Sequence, residues 1–169
     1  MTVLQTARLT LRPQALADAP ALFVILNDAE AMRFWNHPPI RYLAAVEGLL
    51  REQQDAVDRG VCRYWTALED DQAIGSLDLS LIENGSAELG FLLRHDRWGQ
   101  GLSSEAVAAV IAHGFGPMGL TRLAAVVQVG NLAAARILEK NGFALVKTCA
   151  DVPLTGGGRA NCAFFVRDR

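Results

Sequence analysis

The sequence lacks a large excess of charge of either sign. Its 169 residues carry a formal net charge of -2, and the basic residues are spread along the chain. A surface that binds duplex nucleic acid needs clustered basic residues, so the charge pattern argues against a nucleic-acid partner. Long apolar runs are also missing, because no stretch approaches the roughly 20 residues that a membrane-spanning helix requires. The start, "MTVLQTARLTLRP", has no signal-peptide pattern. We therefore expect a cytoplasmic protein with no membrane partner.

Cysteine is scarce as well. Cys62, Cys149 and Cys162 are far apart in the sequence, form no C-x-x-C pair and have no histidine nearby. This spacing argues against a disulfide framework and against a zinc site, so we expect reduced thiols and no metal. The composition is 51% hydrophobic and 20% charged with no low-complexity tract. It indicates one globular domain over residues 1–169.

The order of hydrophobic periodicities predicts an α/β (α+β) fold. The spacing predicts helices over 15–28, 42–59, 103–115 and 132–140, and strands over 7–13, 62–69, 73–82, 86–93, 122–129, 143–149 and 161–167. The strand over 122–129 has the composition of one buried on both faces. Gly142 is placed to end the last helix in a left-handed conformation, with Phe143 folding back on it. We expect a mixed, mostly antiparallel sheet flanked by about four helices.

The segment "RWGQGLSSEA" places two glycines, Gly99 and Gly101, before a helix. A dinucleotide fingerprint does not fit, because Ser104 replaces its third glycine and the preceding strand belongs to an antiparallel meander. A phosphate loop of the G-x-x-x-x-G-K type would need a lysine that is missing. One remaining interpretation is a short loop whose N–H groups, at a helix N-terminus, cradle a pyrophosphate. The simpler interpretation is a tight turn with Ser103 as helix cap.

Three segments taken together resemble a known family. "AELGFLL", "RWGQGLSSEA" and "NLAAARILEKNGF", with "TARLTLRP" near the start, are similar to the GNAT superfamily of acyl-CoA-dependent N-acyltransferases, in particular to its ribosomal-protein N-acetyltransferases. The resemblance implies that the central strands splay apart and that acetyl-CoA lies in the gap. It also implies cofactor contacts from the loop residues Trp98, Gly99, Gln100, Gly101, Leu102, Ser103 and Ser104, from the strand residues Phe91, Leu92 and Leu93, and from Asn131.

Acetyl transfer to an amine needs a base, because the amine arrives protonated. Glu88 is our catalytic candidate, since strand alternation sets it apart from Ala87 and Leu89 and places it on the same face as Gly90. The missing side chain of Gly90 is expected to leave room for a ligand. An exposed strand glutamate with no role is an equally simple interpretation. The rival carboxylate, Glu105, is better explained as balancing the N-terminal dipole of its own helix.

The position at which relatives place a serine acid is Ala134 in this chain. That absence keeps a second hypothesis open, in which the protein is a non-catalytic CoA-binding sensor or assembly module. A dinucleotide-dependent oxidoreductase is a third, weakly supported hypothesis. Asn131 is expected to cap the last helix whatever else it contacts.

The acceptor side is predicted from the segment "MRFWNHPP". Phe34 and Trp35 are candidates to line an acceptor pocket, although aromatic residues here also suit core packing, and His37 is more simply a solvated loop residue. The loop "TGGGR" is either a lip over the acceptor or a flexible hairpin. The hypothesis is an N-acetyltransferase that moves an acetyl group from acetyl-CoA to a primary amine by direct attack. Protein N-termini, polyamines, aminoglycosides and other small amines all fit such a site.

Overall fold

An eight-stranded sheet organises the chain in this computed structural model, which describes residues 2–169. The strands are β1 (Leu4–Gln5), β2 (Thr10–Pro13), β3 (Arg63–Glu69), β4 (Gln72–Glu83), β5 (Ser86–Leu93), β6 (Arg122–Gln128), β7 (Ala144–Pro153) and β8 (Arg159–Asp168). Their order across the sheet is β1-β2-β3-β4-β5-β6-β8-β7. All neighbouring pairs are antiparallel except β5 and β6, which are parallel. The predicted mixed, mostly antiparallel sheet is therefore confirmed.

Four α-helices cover the two faces of this sheet. They are α1 (Ala19–Leu26), α2 (Leu43–Asp58), α3 (Leu102–Phe115) and α4 (Leu132–Lys140), with short 3-10 turns at Leu16–Asp18 and His95–Arg97. Residues of α3 and α4 pack with one face of β3 to β6 and β8, whereas α1 and α2 form a second cluster on the opposite face. No helix among residues 2–169 combines the length and the apolar composition needed to cross a bilayer.

The antiparallel meander of β3, β4 and β5 is closed by two tight turns. Asp70 and Asp71 connect β3 to β4, and Asn84 and Gly85 connect β4 to β5. All four residues have positive φ, between 45° and 74°. Two-residue hairpins favour this backbone because its twist matches that of the strands, and Asx and glycine residues adopt it at low cost. Between this second turn and the site, the register of β4 and β5 shifts at an irregularity between Ser80 and Glu83, so that Glu88 lies opposite Ser80.

The strand predicted over 7–13 starts only at Thr10. The Thr6 N–H donates to the Leu9 carbonyl (2.9 Å), and the Leu9 N–H donates to the Thr6 hydroxyl (2.8 Å). These two bonds make a tight turn, so Arg8 leaves the strand and donates its own N–H to Glu105 (2.8 Å). Alternation alone did not reveal the turn, because the side-chain hydroxyl of Thr6 stabilises it.

The expectation that 122–129 is buried on both faces was wrong. Leu123, Ala125 and Val127 are buried against α3 and α4, but Val126 on the other face is 39% exposed. The reason is that α1 and α2 cover β3 and β4 and do not extend over β6. One face of β6 is therefore open.

β5 and β6 pair over only three residues. Ser86, Ala87 and Glu88 lie opposite Arg122, Leu123 and Ala124, and beyond this point the two strands no longer pair. β6 instead pairs with β8 along its whole length. The splay that the family resemblance implied is present, and it begins at Glu88.

The C-terminal part follows the expected order with longer strands. β7 and β8 extend to Pro153 and Arg159, so the connecting loop is shorter than "PLTGGGR" suggested. Gly142 has a φ of 80°, and the N–H of Phe143 donates to the carbonyl of Leu138 (3.0 Å), as predicted for the end of α4. Phe143 is buried in the core.

Leu138→Ala tests how α4 is held to the sheet. Leu138 is fully buried, so its truncation is expected to lower the free energy of unfolding by about 2–5 kcal/mol. Leu132→Ala on the same helix is the matched control, because Leu132 is 63% exposed and its loss is expected to cost about 0.5 kcal/mol or less. Urea denaturation measures both. Equal losses in the two variants would contradict this packing of α4.

Candidate active site

The gap between β5 and β6 exposes backbone groups of β5. The N–H of Arg94 donates to the carbonyl of Ile74 (2.8 Å), which makes Leu93 and Gly75 a non-hydrogen-bonded pair. Because the pattern alternates, the N–H and C=O groups of Leu89, Phe91 and Leu93 point away from β4. The groups of Phe91 and Leu93 face the gap, where β6 no longer pairs with them.

Two of the three predicted strand contacts need correction. Leu92 lies between the gap-facing residues, so its backbone groups point to β4 and its side chain is buried with α1 and α2. It therefore offers no backbone group to a ligand in the gap. The carbonyl of Leu93 already accepts a hydrogen bond from the indole N–H of Trp98 (3.0 Å). Phe91 keeps both backbone groups free, and Leu93 keeps its N–H.

The glycine loop ends in a row of free N–H groups at the start of α3. Among the described residues, no hydrogen-bond acceptor serves the backbone N–H of Gly101, Leu102, Ser103 or Ser104, since the first helical bond is that of Glu105 to Gly101 (3.1 Å). The loop conformation depends on glycine, because Gly99 and Gly101 have φ of 74° and 80°. Free donors at a helix N-terminus form an anion-binding site.

The serines of this loop do not cap α3. The N-cap is Gly101, without a side-chain cap, and Ser103 lies inside the first turn, so the simpler interpretation of Ser103 as a cap was wrong. The Ser104 hydroxyl accepts from the Asn141 amide (3.1 Å) and joins α3 to the end of α4. Asn131 does cap α4, as expected, with its side chain accepting from the N–H of Ala134 (3.1 Å).

Glu88 occupies the point at which β5 and β6 separate. It is the last residue of β5 that pairs with β6, and it lies between Ser80 of β4 and Ala124 of β6. Its neighbours Ala87 and Leu89 are buried on the opposite face, as alternation predicted. Glu88 itself is half-buried, and burial raises the pKa of its carboxyl.

A second carboxylate, which sequence reasoning missed, stands beside Glu88. Asp78 on β4 lies directly opposite Gly90 on β5 and opposite Tyr64 on β3. A Cβ atom at Gly90 would collide with the Asp78 Oδ1. The prediction that Gly90 leaves room for a ligand therefore needs correction, because the Asp78 carboxyl fills that space.

Tyr64, Asp78, Ser80 and Glu88 form a polar row, and the pKa values of its three ionisable side chains are raised. Burial raises the pKa of Asp78 to about 7, opposed by a hydrogen bond from Ser80 and assisted by repulsion from the charge of Glu88. Burial, with the nearby charge of Asp78, also raises the pKa of the Tyr64 phenol. Neighbouring carboxyls with perturbed pKa values are typical of functional sites. Neither in this row nor elsewhere among residues 2–169 do three His, Cys, Asp or Glu side chains gather as metal ligands.

The predicted acceptor residues lie across the open end of β6. The side-chain amide of Gln128 donates to the carbonyl of Trp35 (3.0 Å), and a Cβ at Gly130 would come within 3.0 Å of the Phe34 ring. Phe34 and Trp35 are half-buried, and Trp35 also packs with the α1–α2 cluster. Core packing is thus confirmed in part for Trp35, and the lining of an acceptor pocket by Phe34 and Trp35 stays a prediction.

The loop between β7 and β8 contacts the same segment. The N–H of Gly156 donates to the carbonyl of Asn36 (2.8 Å), and a Cβ at Gly156 would collide with His37. The loop is therefore packed against residues 36–38, where it lies against the backbone and Cβ of His37. These contacts argue against a free hairpin, and the role of the loop as a lip over the acceptor stays a prediction.

Comparison with known proteins identifies the family. Residues 8–144 match the family model described as "Acetyltransferase (GNAT) domain". The chain belongs to the GNAT acetyltransferase family. It is an acetyl-CoA-dependent acetyltransferase, as the resemblance implied. It is 32% identical over 147 residues to a protein of Bacillus licheniformis named "Uncharacterized N-acetyltransferase p20", and the alignment covers 85% of this chain and 83% of that protein.

Solved GNAT structures share the fold at low sequence identity. RimJ of Mycobacterium smegmatis, in complex with CoA-disulfide, has a TM-score of 0.91 at 17% identity, over 99% of this chain and 87% of that chain. Spermidine N-acetyltransferase of Vibrio cholerae, in complex with CoA and spermine, has a TM-score of 0.83 at 19% identity, over 96% of each chain. These neighbours support the architecture of the whole GNAT domain.

Gly90→Ala tests the contact between Gly90 and Asp78. The new methyl group would collide with the Asp78 carboxyl, so we expect a loss of about 1–3 kcal/mol in the free energy of unfolding. In the Asp78→Ala background the same change is expected to cost much less, which a double-mutant cycle measures. Gly48→Ala on α2 is the control, because its Cβ meets no neighbour within 4 Å. An unchanged cost in the double variant would contradict the proximity.

Asp78 also predicts a pH dependence of stability. The folded protein holds a proton on Asp78 up to about pH 7, whereas the unfolded chain releases it near its ordinary pKa of about 3.9. Because the folded state binds more protons between these values, stability falls as the pH rises through this window and then levels off. Asp78→Asn is expected to reduce the fall, and the exposed Asp55→Asn is expected to preserve it. Urea titrations at about pH 5 and about pH 8 compare them. An equal fall in the free energy of unfolding between these two pH values in wild type and Asp78→Asn would refute the raised pKa of Asp78.

Proposed function

We propose that this protein transfers an acetyl group from acetyl-CoA to a primary amine by direct attack, with Glu88 as the general base. The observation that carries the proposal is the position of Glu88, half-buried at the fork of β5 and β6. A carboxyl there adjoins the gap in which the GNAT resemblance places the thioester. Its raised pKa favours base catalysis, because a base is most effective when its pKa approaches the working pH.

The cofactor seat is proposed along the loop and the open edge of β5. The free N–H groups at the start of α3 suit a pyrophosphate, and the gap-facing groups of Phe91 and Leu93 suit the amides of the pantetheine arm. Trp98, Gly99 and Gln100 complete the loop, and Asn131 lies at the start of α4 beyond the open end of β6. The CoA named in the RimJ and spermidine acetyltransferase structures supports this seat by analogy of fold.

Acetyl-CoA, when bound, supplies a thioester as the acyl donor. The residues of this chain then have three tasks in the proposed reaction. Glu88 accepts the proton of the acceptor amine, directly or through water, so that its lone pair forms the C–N bond. The gap-facing N–H of Phe91 stabilises the charge that develops on the carbonyl oxygen. The C–S bond breaks without a protein acid, since Ala134 has no hydroxyl and a thiol of pKa about 8.5 leaves readily as the anion.

The acceptor is proposed to be a cationic primary amine, either a small molecule or a peptide. Glu88, beside the gap, supplies a negative charge that favours an ammonium group over a neutral or anionic one, and Asp78 on the same face adds to it once it ionises above about pH 7. Phe34 and Trp35 are proposed to form the apolar edge of the entrance. The spermine bound in the Vibrio cholerae enzyme is an example of such an acceptor in this fold.

Glu88→Gln tests the base. The variant keeps the size of the side chain but cannot take a proton, so kcat is expected to fall by roughly 100- to 10,000-fold. The affinity for acetyl-CoA is expected to stay the same, and the rise of rate with pH on the acidic side is expected to disappear. Thiol release from acetyl-CoA, followed with a panel of peptides, polyamines, aminoglycosides and small amines, measures the rate and names the acceptor class.

Glu83→Gln provides the matched control for this experiment. Glu83 is an exposed glutamate at the end of β4, where it pairs with Ser86 beside the turn and not with Glu88, so its loss is expected to leave the rate unchanged. Unaltered turnover in Glu88→Gln would remove Glu88 from the mechanism. Silence of the wild type with every amine, despite acetyl-CoA binding, would contradict the proposed acceptor class.

A further inference from the structure

Glu105, one turn into α3, is the centre of a dense hydrogen-bond network. Its Oε1 accepts from the hydroxyl of Thr6 (2.6 Å) and from the backbone N–H of Arg8 (2.8 Å). Its Oε2 accepts from the Arg8 guanidinium through Nε and Nη2, both at 2.7 Å. Burial would raise the pKa of Glu105, but the bonds from Thr6 and Arg8 hold it below its usual value. Balancing the dipole of α3 requires only the negative charge of Glu105. The hydrogen bonds from four donors therefore indicate a further role for this side chain.

Arg8 connects this network to the glycine loop. Its remaining terminal nitrogen, Nη1, donates to the carbonyl oxygen of Gln100 (2.9 Å). The peptide bond between Gln100 and Gly101 is trans, as are all peptide bonds among the described residues. In a trans peptide the C=O and N–H groups point in opposite directions. Holding the Gln100 carbonyl towards Arg8 therefore turns the N–H of Gly101 to the other side.

The direction in which this N–H points determines whether the row of donors is continuous. The N–H of Gly101 has no acceptor among residues 2–169, and the free N–H groups of Leu102, Ser103 and Ser104 follow it into α3. Glycine at 101 permits more than one orientation of its flanking peptides, because its φ is not restricted by a side chain. A contact from outside the loop is needed to select one of them.

We propose that Arg8 and Glu105 are positioning residues, whose ion pair holds the Gln100–Gly101 peptide in the orientation that presents the Gly101 N–H to the pyrophosphate of the cofactor. The inference rests on the proposed cofactor seat in this loop and is independent of the role of Glu88. It also explains why a carboxylate is tolerated near a bound anion, since the Arg8 guanidinium neutralises it at close range.

Charge alone predicts a different outcome from positioning. If Glu105 were only a negative charge near the pyrophosphate, Glu105→Gln would strengthen CoA binding. A glutamine keeps an acceptor for Thr6 but cannot accept from both nitrogens of Arg8, so the guanidinium and the Gln100 carbonyl would be released. Positioning therefore predicts weaker binding. For the same Glu105→Gln variant, charge alone thus predicts tighter CoA binding, whereas positioning predicts weaker CoA binding.

The experiment measures dissociation constants for CoA and for pantetheine, which lacks the pyrophosphate, by calorimetry or competition. Glu105→Gln is expected to weaken CoA binding about tenfold, the equivalent of one charge-assisted hydrogen bond, and to leave pantetheine binding unchanged. Arg8→Lys keeps the charge but loses the planar fork that bridges two partners, so a similar loss is expected. At saturating acetyl-CoA, kcat and the KM for the acceptor are expected to match the wild type.

Arg51→Ala is the matched control, because Arg51 is an exposed arginine of α2 whose partner Glu47 lies 3.6 Å away on the same helix. Its CoA affinity is expected to be that of the wild type. A variant that is merely less stable would lose CoA and pantetheine binding together, which thermal unfolding without ligand checks. Wild-type or tighter CoA binding by Glu105→Gln, or full affinity in Arg8→Lys, would overturn the proposal. A wild type that binds CoA no better than pantetheine would instead show that the loop does not bind the pyrophosphate. That result would overturn both the proposed cofactor seat and the positioning role of Arg8 and Glu105.

Discussion

The separation of β5 from β6 is the constraint on which the site depends. Three residue pairs hold the parallel strands together. After Glu88 and Ala124 this pairing ends, and each strand keeps only its other neighbour. β5 remains bonded to β4, while β6 is bonded to β8. An edge of β5 is thus left with unpaired backbone groups inside the sheet, where pairing is normally complete. The polar chain of a cofactor is a natural partner for such an edge.

Opposite electrostatic demands are met at the two ends of this gap. At the fork, burial raises the pKa of the carboxyls of Asp78 and Glu88, which favours proton uptake from an ammonium group. At the start of α3, free N–H groups and the helix dipole favour an anion, and the local carboxylate of Glu105 is neutralised by Arg8. In the proposed reaction, one domain thereby holds a polyanionic donor and a cationic acceptor without placing their charges together.

Features with a local cause were predictable from the sequence. The meander of β3 to β5, the left-handed end of α4 at Gly142 and the cap at Asn131 all follow from residues adjacent in the chain. The glycine loop before α3 was also located correctly, since Gly99 and Gly101 both adopt positive φ, while its role as a pyrophosphate cradle stays a prediction. The family resemblance then supplied the splay, which periodicity alone does not reveal.

Features with a non-local cause were missed. Asp78 was not predicted because its closeness to Gly90 follows from strand register, 12 residues apart in numbering, and not from a motif. Arg8 was assigned to a strand. Its bonds to Glu105 and Gln100 join segments more than 90 residues apart, so no local pattern reveals them. The open face of β6 was read as buried because an apolar strand does not report which helices cover it.

A crystal structure of the protein with CoA tests the central claim most directly. The account predicts pyrophosphate oxygens within hydrogen-bond distance of the N–H groups of residues 101–104. It also predicts the pantetheine arm along the Phe91 edge of β5, with the thiol sulfur beside the Glu88 carboxyl. CoA bound elsewhere, or bound here with its thiol directed away from the fork at Glu88, would contradict the account.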